Sequence, residues 1–333
     1  MTIDFLNVVV TVLTLIVLAV PGYLLAKAKF LPEKAGEAFS NLVLYGCQPV
    51  LVFMSFQGKE YSSSLGLNML IVAGVSILVH IIMTGIVYLC IRNKNQETKM
   101  RCVRYGAVFS NCGYMGLPMI QSLFAGKEYL DEAIIYVAVV LAVFNILNWT
   151  LGIYLATGDK KQISIKKVLL NPTIIGIVVG FVVFITVRTP LVNLAPDGSQ
   201  LDMVVEKLMN SLSLMGDTVT PLSLTVIGLR LANVNIKQLF LDKWAYVTCF
   251  LKLVVMSFVV MLLCAFLPIS GVAKYTLFFV YSMPCATSTT LFAIKFGGDG
   301  DSAAVIVLLT TVLSILTIPL MFLIFSGVFG VVV

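Results

Sequence analysis

Apolar residues in this chain come in long blocks, each about the length a bilayer requires, separated by short stretches of charge and turn formers. Ten blocks qualify as membrane helices: Ile3–Ala26, Phe39–Phe56, Leu67–Ile91, Val103–Phe124, Glu132–Ala156, Asn171–Val187, Val204–Leu231, Trp244–Leu267, Lys274–Ile294 and Ser302–Phe325. The first has only Asp4 before its apolar run, which continues through Leu25. It lacks a basic leading region and reads as a membrane helix rather than a signal peptide.

Two blocks are interrupted at their centres. Segment 4 carries Ser110-Asn111-Cys112-Gly113-Tyr114-Met115-Gly116-Leu117-Pro118, and segment 9 carries Ser282-Met283-Pro284-Cys285-Ala286-Thr287-Ser288-Thr289-Thr290. Glycine costs a helix interior about 1 kcal/mol and proline about 3. Broken backbone persists at membrane depth only where protein buries it or where it lines a cavity. A kinked helix whose hydroxyls bond their own carbonyls is the plain alternative for either segment alone.

The two interruptions occupy matching places. Leu123-Phe124-Ala125 recurs as Leu291-Phe292-Ala293, and the same shift of 168 pairs Lys127 with Lys295 and Asp131 with Asp299. Pro49 in segment 2 has a counterpart in Pro221 of segment 7. The pattern predicts an all-α membrane protein of two five-helix repeats, residues 3–156 and 171–333, joined by a short cytoplasmic linker at 157–170. Five is odd, so the second repeat enters the membrane inverted, as in many secondary transporters.

Composition agrees. The 333 residues are 59% hydrophobic and 11% charged, with a mean hydropathy of +1.03, against about 25% charged in soluble domains. The net charge of +6 is dispersed among loops rather than clustered for nucleic acid. Sixteen Lys and Arg residues fall after segments 1, 3, 5, 7 and 9, among them Lys34, Lys94, Arg230 and Lys237, and five on the opposite side. The bias predicts a multi-pass protein of the cell membrane with both termini on the non-cytoplasmic side. Lys252 lies within segment 8 and reads as a snorkelling side chain. The seven cysteines form no CxxC pair and read as small apolar residues; no metal or cofactor site is legible.

The chemistry implied by the breaks is that of an anion site. A helix restarting at the midplane offers unpaired N–H groups and a positive dipole end, which bind an anion without a basic side chain. No Arg or Lys sits at the centre of segment 4 or 9, so backbone ends and the Asn111 amide must suffice. The expected ligand is a small organic anion, a carboxylate above all. Its candidate contacts are Asn111, Gly113, Gly116, Pro118, Ser282, Pro284, Thr287, Ser288 and Thr289.

Asp217 is the one carboxylate near a helix centre, costing about 2.5–3.5 kcal/mol there. It is a candidate for proton coupling, or for Na+ with Thr218, Thr220 and freed carbonyls; burial in neutral form is the alternative. His80 in segment 3 relays protons or simply packs, and Gln48, Pro49, Asn145 and Asn148 line the cavity or join helices. Gly176 and Gly180 form a GxxxG that predicts close packing of segment 6. Gly298-Asp299-Gly300-Asp301 fits the GxGD pattern of intramembrane aspartic proteases, which need a second facing aspartate. Segment 9 has none, so a turn capping segment 10 is the better reading, and no enzyme is expected.

These residues together resemble the auxin efflux carrier family, the bacterial relatives of plant PIN-type carriers, over essentially the whole length. The resemblance rests on Ser110–Pro118, Asn171-Pro172, Pro221-Leu222 with Gly228, Pro284-Cys285-Ala286 through Phe292-Ala293, and Thr311–Leu320. It implies a ten-helix inverted fold shared with bile-acid-type sodium symporters, in which helices 4 and 9 unwind and cross at the substrate site. It also implies a scaffold of helices 1, 2, 6 and 7, a moving transport domain of 3–5 and 8–10, a homodimer, and carboxylate contact at Asn111. Substrates such as malate, malonate or auxin-like acids follow from the same source. The chain departs from the plant carriers in its short central loop, Thr157–Leu170, in Thr289 where a second crossing proline is expected, and in Asp217. The expectation is an elevator-type transporter, facilitative or coupled to Na+ or H+; a non-transporting sensor on the same fold is the alternative.

Overall fold

Helix starts are set by side chains that accept the first free N–H groups. Asp4 accepts from Leu6, Ser62 from Leu65, Ser199 from Asp202, Asp242 from Trp244 and Ser270 from Ala273. Asn171 accepts from Thr173 and Ile174, ahead of a proline at the first helical position. The computed structural model describes residues 3–32, 35–92, 97–196, 198–232 and 242–329; Lys34, Lys94 and Lys237 of the charge count lie outside them.

The described residues are helical throughout, with no strand beyond one isolated bridge. In chain order the helices are α1 (Phe5–Lys27), α2 (Ala35–Ser55), α3 (Ser63–Cys90), α4a (Glu97–Val108), α4b (Leu117–Leu123), α5 (Leu130–Thr157), α6 (Pro172–Val187), α7 (Gln200–Ala232), α8 (Lys243–Phe266), α9a (Gly271–Ser282), α9b (Ser288–Lys295) and α10 (Gly300–Phe329). Among the described residues, eight spans are long and apolar enough to cross a membrane. The remaining two predicted segments are α4a–α4b and α9a–α9b, which fall short of that length because each is broken. Segment 4 starts earlier than predicted, since Glu97 pairs with Arg101 and Arg104 one and two turns on and extends the helix into polar sequence.

Two sets of helices pack among themselves. α1 lies along the second half of α7, and α2 packs on α6 and on the first half of α7. Glycines make these approaches possible: a Cβ on Gly228 would stand 1.9 Å from the Ala19 carbonyl oxygen, and one on Gly22 2.1 Å from that of Thr225. The GxxxG of α6 faces α2, Gly176 against the Pro49 carbonyl and Gly180 against Phe53 and Phe56. The other set joins α3, α4a, α5, α8, α9a, α9b and α10 around the buried aromatic side chains of Tyr105, Phe109, Tyr281, Phe278 and Phe322.

The loops sort by parity. Lys59 after α2, Glu132 at the start of α5 and Ser270 before α9a meet at one end, with Lys59 Nζ 2.9 Å from the Glu132 carboxylate. At the other end Lys99 pairs with Asp242, and Cys102 reaches the Asp299 carbonyl. Asp299 caps α10 through the backbone N–H and hydroxyl of Ser302, the role expected of that glycine-rich turn.

Candidate functional site

The two interruptions meet. α4a ends at Val108, and after Phe109 and Ser110 the chain turns at Asn111 into a wide helical turn, Cys112–Gly116, that leads to α4b. α9a ends at Ser282, Met283 is extended, and Thr287 opens α9b. Ser110 and Cys285 form an antiparallel bridge: Asn111 N–H donates to the Pro284 carbonyl and Ala286 N–H to that of Phe109, both at 2.9 Å. Cys285 N–H is held by the Thr310 hydroxyl of α10 at 3.2 Å. Backbone that would be costly in hydrocarbon is thus satisfied by pairing break against break.

Pairing leaves donors over. Among the described residues, the N–H groups of Gly113 and Tyr114 at one restart, and of Thr287 and Ser288 at the other, have no protein acceptor. Because the bridge is antiparallel, these two positive helix ends lie on either side of it. The carboxamides of Asn111 and Gln48 are both buried and make no protein hydrogen bond among the described residues. Gln48 lies against Gly113, where a Cβ would come within 2.8 Å of its Nε2.

Two cations reach the breaks from other helices, and both correct the sequence reading. Lys252 does not snorkel. It is 0% exposed, in the wide turn Phe250–Val255 of α8, and donates to Ser110 Oγ at 2.6 Å and the Tyr281 carbonyl at 2.9 Å, with Met256 Sδ at 2.8 Å. Arg230, counted among loop charges, is the last-turn arginine of α7. Its guanidinium donates to the Thr287 carbonyl at 3.3 Å and to Ser40 Oγ at 3.2 Å, and the Ser40 carbonyl accepts from the Tyr114 hydroxyl. Arg230 therefore stands between the two restarts. The signal for both was a basic residue with apolar neighbours on each side, Phe-Leu-Lys-Leu-Val and Gly-Leu-Arg-Leu-Ala.

The remaining candidates divide. Pro284 and Thr287 contribute carbonyls, Thr289 bonds back to Ala286, and Ser282 accepts from Ser257 of α8. Ser288 joins Tyr105 and Asn148 through the Tyr105 hydroxyl. Gly116, the last residue of the wide turn before α4b, packs on Val280 of α9a, and Pro118 is buried. His80 is buried beside both breaks, its Nδ1–H bonded to the Ser76 carbonyl and its ring against Phe109 and Tyr281.

Others sit elsewhere. Asp217 and Thr218 are exposed on the outer face of α7, since Gly216 beside them is the residue that packs on Leu51. The expected coupling carboxylate is thus turned away from the crossing. Thr220 does face inward, bonded to Gln121 of α4b. Pro49 turns its carbonyl to Gly176 in α6, and Asn145 bonds Asn171, so both join helices.

A family model described as "Membrane transport protein" matches residues 7–322. An uncharacterized transporter of Methanocaldococcus jannaschii is 25% identical over 311 residues, covering 93% of this chain and 96% of that one. Another, from Methanothermobacter thermautotrophicus, is 26% identical over 323 residues, covering 95% and 98%.

Proposed function

Since the chain belongs to the membrane transport protein family, with nearly its full length matched, we propose that this transporter carries small organic anions, carboxylates in particular, at the bridge between its two broken helices. One observation carries the reading. Free N–H groups at both restarts, the unpaired amides of Asn111 and Gln48, and the guanidinium of Arg230 gather at paired breaks where no carboxylate partners that arginine among the described residues. Such a set of donors matches a carboxylate, which accepts several hydrogen bonds and favours a planar guanidinium.

The packing supports an elevator division. α1, α2, α6 and α7 form the scaffold, and α3–α5 with α8–α10 the moving domain that contains the bridge. On this reading the two halves, 3–156 and 171–333, are inverted repeats, and parity of the loops follows from ten crossings. With the basic-residue bias, the Arg230 end faces the cytoplasm and both termini lie outside.

The test is uptake of labelled malate, malonate and an aromatic acetate into proteoliposomes of the purified protein. Flux above empty liposomes is expected, with loss of most of it in Asn111→Ala. No flux of any carboxylate, or normal flux in Asn111→Ala, would sink the assignment.

A further inference from the structure

Lys252 is a charge that the transport reading does not use. Its ammonium is wholly enclosed, and its three acceptors, Ser110 Oγ, the Tyr281 carbonyl and Met256 Sδ, are all neutral. An ammonium has three donors, and all three are engaged. No carboxylate lies within ion-pair distance of it among the described residues. Packing alone explains this poorly, because an enclosed charge without a counter-ion costs several kcal/mol and an apolar residue would fill the space without that cost.

Its position is specific. Tyr281 is the penultimate residue of α9a, so its carbonyl belongs to the negative end of that helix. Ser110 is the bridge residue of the opposite break and also donates its hydroxyl to the Tyr281 carbonyl, at 3.2 Å. Ser282 and Ser257 place two more hydroxyls next to this point, 2.9 Å from each other. In transporters built on broken helices, the carbonyl ends of half-helices and unwound backbone are where a coupling cation is coordinated. With two neutral oxygens and no carboxylate to offset a higher charge, the place suits a monovalent rather than a divalent cation.

We propose that Lys252 is a tethered replacement for a coupling cation: its ammonium fills a monovalent-cation site at the carbonyl end of α9a, so that the protein works without Na+. The lysine holds the Ser110 and Tyr281 oxygens together, as a bound ion would, and the wide turn at Phe250–Val255 sets it at the required depth. The assignment deepens the carboxylate-transporter reading by specifying its ion dependence, while the site itself is defined by cation binding alone.

Thermal unfolding of the purified protein in NaCl against matched choline chloride tests it without any carboxylate. The wild type is expected to melt at one temperature in both salts. Lys252→Ala empties the cage, and its melting temperature is expected to rise by a few degrees with Na+, saturably, through ligand linkage. Lys252→Arg keeps a cation in place and is expected to remain indifferent. A folded Lys252→Ala that does not respond to Na+ overturns the proposal. So does a wild type stabilised by Na+, a result that needs no variant to fold. Recovery of folded Lys252→Ala only when purified in Na+ supports it, and failure in both salts counts against it. Absence of carboxylate flux in the wild type would remove the transport reading and leave these melting results standing.

Discussion

At the scale of residues, the site is a set of donors looking for an acceptor. Arg230 touches only neutral oxygens of Thr287 and Ser40, so its charge is available to a bound anion. A hydrogen bond to a charged group contributes about 1.5–3 kcal/mol, or roughly tenfold to a hundredfold in affinity. Arg230→Gln is expected to weaken carboxylate binding by that factor in a scintillation-proximity assay and to leave the melting temperature of the empty protein nearly unchanged. Tyr105 behaves differently. Its hydroxyl bonds both Asn148 and Ser288 inside the proposed moving domain. Tyr105→Phe leaves a buried carboxamide oxygen unpaired, a cost of about 1–3 kcal/mol, and is expected to lower the melting temperature.

At the scale of elements, glycines decide which helices touch. In α7, Gly228 has no room for a methyl group because the Ala19 carbonyl would stand 1.9 Å away, whereas Gly74 in α3 has nothing within 4 Å. Gly228→Ala forces α1 and α7 apart and is expected to cost about 1–3 kcal/mol. Gly74→Ala gains helix propensity, about 1 kcal/mol. Melting curves of the two variants should therefore move in opposite directions. The broken elements follow the same accounting of backbone groups: α4 and α9 tolerate proline and glycine because each break is the other's hydrogen-bond partner. The lengths of the pieces were open in the sequence, since Glu97–Arg104 reads as loop until its ion pairs are seen.

At the scale of the whole molecule, two contacts bear on motion and assembly. The Lys59–Glu132 pair joins the loop after α2, in the proposed scaffold, to α5 in the proposed moving domain. An elevator step must break it. As a part-exposed pair it is worth about 0.2–1 kcal/mol, so Lys59→Met is expected to shift the balance between the two access states by at most about fivefold, read by single-molecule distance measurements between labelled α2 and α5. The outer face of α7 carries Glu206, Asn210 and Asp217, all exposed and recurring on one helix face. Lipid is a poor partner for such a stripe. The expected homodimer supplies a better one, and cysteine at Asn210 should then cross-link two copies in native membranes.

The sequence by itself determined that the chain spans the membrane many times and that segments 4 and 9 break. Block length, composition and proline or glycine content are local properties, readable without neighbours. It also pointed to Asn111, whose chemistry belongs to the break itself. Tertiary structure decided what surrounds that break. Lys252 and Arg230 lie 142 and 119 positions after Ser110 and Asn111 in the chain, and nothing in their own segments says which way a turn of helix will aim them. Asp217 shows the converse, a residue singled out by its charge and then turned outward by the glycine beside it. Burial and facing are set by packing between helices, and in a segment as evenly apolar as that around Lys252 no amphipathic pattern announces that packing beforehand.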